Sequence, residues 1–178
     1  MSDGAPQMDD DSGAAGCPGL AGAGVPDTID VQLRGIFERD IDLLLLEEIV
    51  ATAGFREWFL AQLGYGPVNR LVRAARSVNT STGESDLELT LRDRGQVTRV
   101  LIENKIDAPL QPHQAGRYKD RAASYVSSGD CDAAVTVLVA PACYVAGVTG
   151  FDHILTYETI DAFLSTQPGA EERTSDSV

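Results

Sequence analysis

Two acids and a lysine, Asp86, Glu103 and Lys105, stand in a pattern that chemistry could use. Over 84–91, Leu87, Leu89 and Leu91 alternate with Asp86, Glu88 and Thr90, so a strand there turns its acids to one face. Over 97–105, Val100 and Ile102 take one face, and Leu101, Glu103 and Lys105 take the other. A two-residue turn centred on Arg94-Gly95 pairs these strands so that Asp86 faces Glu103 and Glu84 faces Lys105. Side chains so opposed have Cβ atoms about 4.5–5.5 Å apart, and two carboxylates at that separation repel. A divalent cation between them reverses the sign, and hard carboxylate oxygens suit Mg²⁺. The bland alternative is the solvated face of an exposed hairpin. The apolar character of the second strand weighs against it, because charges on such a strand are costly if buried without compensation. A three-residue loop would instead put the two acids on different faces.

A second constellation follows at 111–126. Gln111, Gln114, Tyr118, Arg121 and Tyr125 recur at spacings of three and four, which places them on one face of a helix. Tyrosines on such a stripe usually pack in a core. Two glutamines and an arginine beside them suggest a polar wall bordering a site. His113, at the boundary of loop and helix, reads as a surface residue, and nothing marks Tyr157 or Glu158 as functional.

The elements that must position these groups are legible in outline. Residues 1–28, rich in Gly, Ala, Asp and Pro, read as a disordered leader, and 169–178 as a frayed tail. The expected domain is 29–168. It begins with a helix capped by Thr28 or Asp30, with apolar positions at Ile36, Ile41, Leu44, Leu45, Ile49 and Ala53. A second helix over 55–63 follows Gly54, and Gly64 to Pro67 stop it. Strands are expected over 71–78, 85–91 and 97–104, a helix over 111–126, and a strand buried on both faces over 133–140. A short strand over 153–157 and a helix over 159–164 close the domain. The fold class is α/β, an α+β arrangement in which helices pack on a mixed sheet.

Composition narrows the function. No apolar run approaches the ~20 residues of a membrane span, and the acidic first residues lack the positive charge of a secretory signal. A cytoplasmic protein is therefore expected. Three cysteines (17, 131 and 143) and two histidines make a disulfide framework or a histidine-based zinc site a poor expectation. The net charge of -13 argues against nucleic acid, yet residues 67–125 hold ten Lys/Arg against seven Asp/Glu. The middle of the chain is locally basic, as phosphate binding requires.

Gly83-Glu-Ser-Asp86, Leu101-Ile-Glu103-Asn-Lys105-Ile-Asp-Ala108 and Gln114-Ala-Gly-Arg-Tyr118 resemble the PD-(D/E)XK nuclease superfamily. An ExK strand followed by a QxxxY helix is similar to its RecB-like branch. Ser85 stands where the family carries a proline, and the resemblance covers roughly 38–164. It implies a restriction-endonuclease-like αβββαβ core and Mg²⁺-dependent hydrolysis of phosphodiesters, with Mn²⁺ able to substitute. The substrate so implied is nucleic acid, DNA foremost, with no membrane partner and a homodimer compatible. By the same resemblance Asp86, Glu103 and the backbone carbonyl of Asn104 hold the metal. Lys105 orients the attacking water and neutralises charge at phosphorus, while Gln114 and Tyr118 contact the substrate strand. The family also supplies an acid from its first helix. Glu47 and Glu48 both qualify, and Glu48 is preferred for its spacing from Leu44 and Leu45. The rival expectation is a catalytically silent nuclease-fold module that grips nucleic acid or a protein. A third is a small antitoxin-like or assembly protein whose acidic leader mimics nucleic acid.

Overall fold

The structure, a computed structural model, describes residues 37–80 and 83–167. The expectations for the leader, the tail, the cap at Thr28 or Asp30, Ile36 and Cys17 lie outside the described residues. The element order is α1 (Glu38–Ala51), α2 (Ala53–Gln62), β1 (Arg70–Thr80), β2 (Gly83–Asp93) and β3 (Gln96–Asn104). It continues with α3 (Gln114–Ser127), β4 (Ala133–Ala140), β5 (His153–Thr156) and α4 (Tyr157–Leu164). The five strands form one mixed sheet in sequential order, antiparallel from β1 to β3 and parallel from β3 to β5. The expected α/β class with an αβββαβ progression is therefore the observed one.

The hairpin between β2 and β3 has the expected two-residue turn. Arg94 and Gly95 both take positive φ (46° and 93°), the conformation whose twist suits a tight antiparallel hairpin. Asp93 pairs with Gln96, and the ladder runs to Leu87 opposite Ile102, so Asp86 and Glu103 are the next positions on each strand. Leu87, Leu89, Leu91, Val100 and Ile102 face a core completed by Leu45, Ile49, Phe55 and Phe59 from α1 and α2. On the other face Leu101 packs with Tyr118 and Ala122 of α3. β4 is buried from Thr136 to Ala140 because helices cover both of its faces, as its nearly continuous apolar run implies.

Some boundaries differ from expectation. The break between the first two helices falls at Thr52, so Ala53 and Gly54 belong to α2. α3 begins at Gln114, not at 111, because His113 adopts a left-handed backbone (φ 59°) that interrupts any earlier turn. α4 follows β5 without a gap, and Thr156 caps it by accepting the Thr159 N–H at 3.3 Å. Among the described residues, no helix is long and apolar enough to cross a membrane.

Candidate active site

The site is built where β2 and β3 part company. Beyond Leu87 and Ile102 the Asn104 N–H donates to the Asp86 carboxylate (Oδ2, 2.8 Å), which ties the end of β3 to a side chain of β2. Lys105 follows at once, its N–H donating to the Val139 carbonyl of β4 at 2.9 Å. These contacts bring Asp86, Glu103 and Lys105 onto one cleft of about 390 Å³. Gly83, Glu84, Gln111, Gln114, Arg117, Tyr118 and Arg121 also line it.

Glu103, 2% exposed, is held on one oxygen by two donors. Gln114 Nε2 reaches its Oε1 at 2.6 Å, and the Lys105 ammonium lies 2.9 Å from the same atom. The Tyr118 hydroxyl donates to the Ile102 carbonyl and accepts from the Asp86 N–H, both at 3.3 Å. One tyrosine thus bridges the two strands at the point where they diverge. Further along α3, Arg121 donates to Ser85 Oγ at 2.6 Å, and the Tyr125 hydroxyl donates to the Glu88 carboxylate at 3.1 Å. Of the expected stripe, Gln114, Tyr118, Arg121 and Tyr125 meet the hairpin residue by residue, whereas Gln111 precedes the helix and reaches the cleft from the loop. His113 is exposed, as expected.

Of the acids on the first helix, the structure brings Glu38 beside Lys105, and not the expected Glu48. Glu38 Oε2 lies 3.1 Å from the Lys105 ammonium, and Glu38 Oε1 accepts the Ile106 N–H at 3.3 Å. One turn on, Asp42 Oδ1 accepts from Asn104 Nδ2 at 2.9 Å. Glu48 makes neither kind of contact with the described site residues, and Glu47 is exposed. The reason is helical phase. The buried stripe of α1 is Asp42, Leu45 and Ile49, whereas Leu44 is 57% exposed. At 100° per residue Glu38 falls in line with that stripe, and Glu48 lies about 100° away and ~15 Å further along the axis.

A second unmarked residue completes this side. The Tyr157 hydroxyl donates to Asn104 Oδ1, while Asn104 Nδ2 also donates to the Glu38 carbonyl at 3.1 Å. Asn104, fully buried between Glu103 and Lys105, is thereby anchored to α1 and α4. The signal for Asp42 was available in the sequence, since residues 38, 42, 45 and 49 form one stripe at spacings of four, three and four. Nothing local marked Tyr157.

The electrostatics follow from burial. Desolvation pushes the Asp86 carboxyl up to about 7, with the Glu103 charge adding to the rise and the Asn104 N–H opposing it. Burial likewise lifts Asp42 to about 6 against its bond from Asn104. For Lys105 burial acts downwards, but the bonds and charges of Glu103 and Glu38 outweigh it and hold the ammonium above the ordinary lysine value. Tyr118 is pushed up by burial and then by the Glu103 and Asp86 charges, so it remains a neutral hydroxyl.

The donor set suits a small hard cation at Asp86 and Glu103. Both carboxylates border one cleft, and burial raises the cost of leaving their charge uncompensated. Among the described residues no group of three His, Cys, Asp or Glu side chains converges as a ligand set, and Glu84 is a further acid lining the cleft. No family model, no curated protein and no solved structure matches the chain.

Proposed function

We propose that this protein is a divalent-metal-dependent nuclease of the PD-(D/E)XK kind, hydrolysing phosphodiester bonds of nucleic acid, DNA foremost. The observation that carries the reading is the convergence of Asp86, Glu103 and Lys105 on one cleft walled by Gln114 and Tyr118. Asp86 and Glu103 would hold Mg²⁺ or Mn²⁺, with the Asn104 carbonyl as the third protein ligand that the resemblance implies. When bound, the ion supplies Lewis-acid stabilisation of the charge that develops on the phosphate oxygens.

The chain's own residues do the rest. The Lys105 ammonium orients the attacking water and offsets charge at phosphorus, which is worth most in a site with little water. Gln114 fixes one oxygen of Glu103 by its 2.6 Å bond. Arg117 and Arg121 put positive charge on the lining of the same cleft, where a phosphate would enter.

The second reading is a silent module of the same fold that binds without cutting. What favours it is the small acidic set, with Glu103 already engaged by Lys105 and Gln114. A cleavage assay separates the two. Wild type is offered labelled DNA and RNA, single and double stranded, with Mg²⁺, Mn²⁺ or EDTA. Metal-dependent cutting that disappears in EDTA and in Asp86→Asn supports the nuclease, and binding without cutting under every condition supports the silent module.

A further inference from the structure

We infer that the open face of β1 and β2 is a phosphate track that carries the nucleic-acid backbone away from the cleft. This deepens the nuclease reading and rests on it, because it defines the substrate as a polynucleotide extending well to one side of the scissile bond.

The track follows from the sheet register. Along β2 the residues on the α3 side are Asp86, Glu88, Thr90 and Arg92, each step of two residues spanning about 6.8 Å. On β1, Arg73 pairs with Thr90 and Arg70 with Arg92; on β3, Arg99 pairs with Thr90. Core residues Leu71, Ala74, Leu89 and Leu91 alternate with these positions, which fixes the arginines to the α3 side of the sheet. Yet α3 packs chiefly on β4, with lesser contact to β2 and β3, so the far ends of β1 and β2 are left open.

The charge on this face is one-sided. Arg70, Arg73 and Arg92 are exposed, and none forms an ion pair with a described residue. On β2 the acid between the cleft and the arginines, Glu88, is 3% exposed. It is already taken by Arg99 at 3.1 Å, Ser85 and Tyr125. At the β1 edge Arg70 and Arg73 also border a cavity of about 670 Å³ shared with α2, whose lining includes Arg56, Glu57, Leu60 and Tyr65.

β1 is an edge strand, and an exposed edge can also recruit another strand. A second copy would bring its own arginine row against this one, so like charges disfavour that occupant. A polyanion is the occupant that the surface fits. Tyr125 and Arg99 cover Glu88, so the exposed course from the cleft runs beside it on β1, where Asn79 pairs with Glu84 and Ala75 with Glu88. From the level of Asp86 to that of Arg92 it spans about 20 Å, the rise of roughly six nucleotides in one strand of a duplex.

The test is fluorescence polarisation of long labelled duplex and single-stranded DNA across a salt series in Ca²⁺ or EDTA. It uses the full chain, wild type and Arg70→Gln/Arg73→Gln/Arg92→Gln, with thermal melts to verify folding. The single variants Arg73→Gln and Arg92→Gln serve if the triple variant unfolds. The triple variant should lose on the order of tenfold in affinity, and its log–log salt slope on duplex should shrink by about 2–3, near one per lost phosphate contact. A mirrored loss on the single strand alone would assign the track to that substrate. In the cleavage assay, KM should rise with the triple variant on long substrates. That rise should vanish on substrates trimmed to a nucleotide or two on the track side. Wild type that cuts, paired with a triple variant of unchanged affinity and slope, would overturn the track and leave the nuclease reading standing. A slope that depends on these arginines in a protein that never cuts would overturn the nuclease reading and keep the surface. Failure of wild type to bind any polynucleotide would overturn both.

Discussion

Glu38 and Lys105 meet as an ion pair at 3.1 Å although they stand 67 positions apart in the chain. The pair joins the first turn of α1 to the residue just past β3, and its other half is the 2.9 Å contact of Lys105 with Glu103. An ammonium held between two carboxylates has one place to be, and a positioned cation is worth more to catalysis than a mobile one. Glu38→Gln should therefore lower metal-dependent cleavage by about 10–100-fold, the usual cost of losing an outer-shell partner. Glu48→Gln, a quarter-turn off the stripe, should stay within about twofold. Steady-state kinetics on the two variants checks this, and equal losses would mean that α1 reaches the site by another route.

The anchor beneath the site has a stability signature. Asn104 is fully buried and serves Asp42, the Glu38 carbonyl and the Tyr157 hydroxyl at once. Asn104→Ala would leave the Asp42 carboxyl without its partner and should cost about 2–3 kcal/mol in urea unfolding. Tyr157→Phe removes one bond of this set and should cost about 1 kcal/mol. A loss for Tyr157→Phe as large as that for Asn104→Ala would show that the hydroxyl holds more than Asn104.

Stability should fall as pH rises through neutrality when no metal is present. The folded pKa of Asp86 is raised from 3.8 to about 7, so its favourable contribution is complete below pH ~3.8 and is lost as pH climbs through about 7. Asp42, raised to about 6, has the same sign one unit lower. Thermal melts in EDTA between pH 5 and 8 should show the decline, shallower in Asp86→Asn with a residual step near pH 6. Mg²⁺ should stabilise wild type more at pH 8 than at pH 5, because protons compete with metal for the same oxygens. A wild-type curve that rises over this range would contradict the assignment of both carboxyls.

Gly83 sits where a side chain has no room. Its φ is +118°, and an added Cβ would lie 2.8 Å from Arg121 Nη2, which packs beneath it. Gly83→Ala should cost about 1–3 kcal/mol, from backbone strain and from displacing the guanidinium that holds Ser85. Urea unfolding reads the loss. A neutral result would mean that the arginine gives way freely and does not brace the cleft.

Much of this geometry could be read in the sequence, and its gaps have physical causes. Alternation set the faces of β2 and β3, and the positive-φ requirement of a tight hairpin made Arg94-Gly95 the turn, so the register of Asp86 and Glu103 followed. The stripe on α3 was legible because every member carries a polar or aromatic side chain at helical spacing. The approach of Glu38 to Lys105 was not legible because Leu44 looks like a core position in a run of four leucines but is exposed. A helix dense in leucine on several faces hides its phase, and only packing resolves which face turns inward. Tyr157 was illegible for a different reason. Its partner lies 53 residues away across two strands, and no local pattern encodes such a contact.

The most direct test of the account compares wild type and Lys105→Ala in single-turnover cleavage with saturating Mg²⁺, while polarisation measures binding of the same substrate. Lys105 is assigned to the water and to the charge at phosphorus, and the other basic residues of the cleft and sheet still attract phosphate. The account predicts a loss of cleavage of two orders of magnitude or more, with affinity changed no more than a few-fold. A Lys105→Ala protein that cuts as fast as wild type would contradict it.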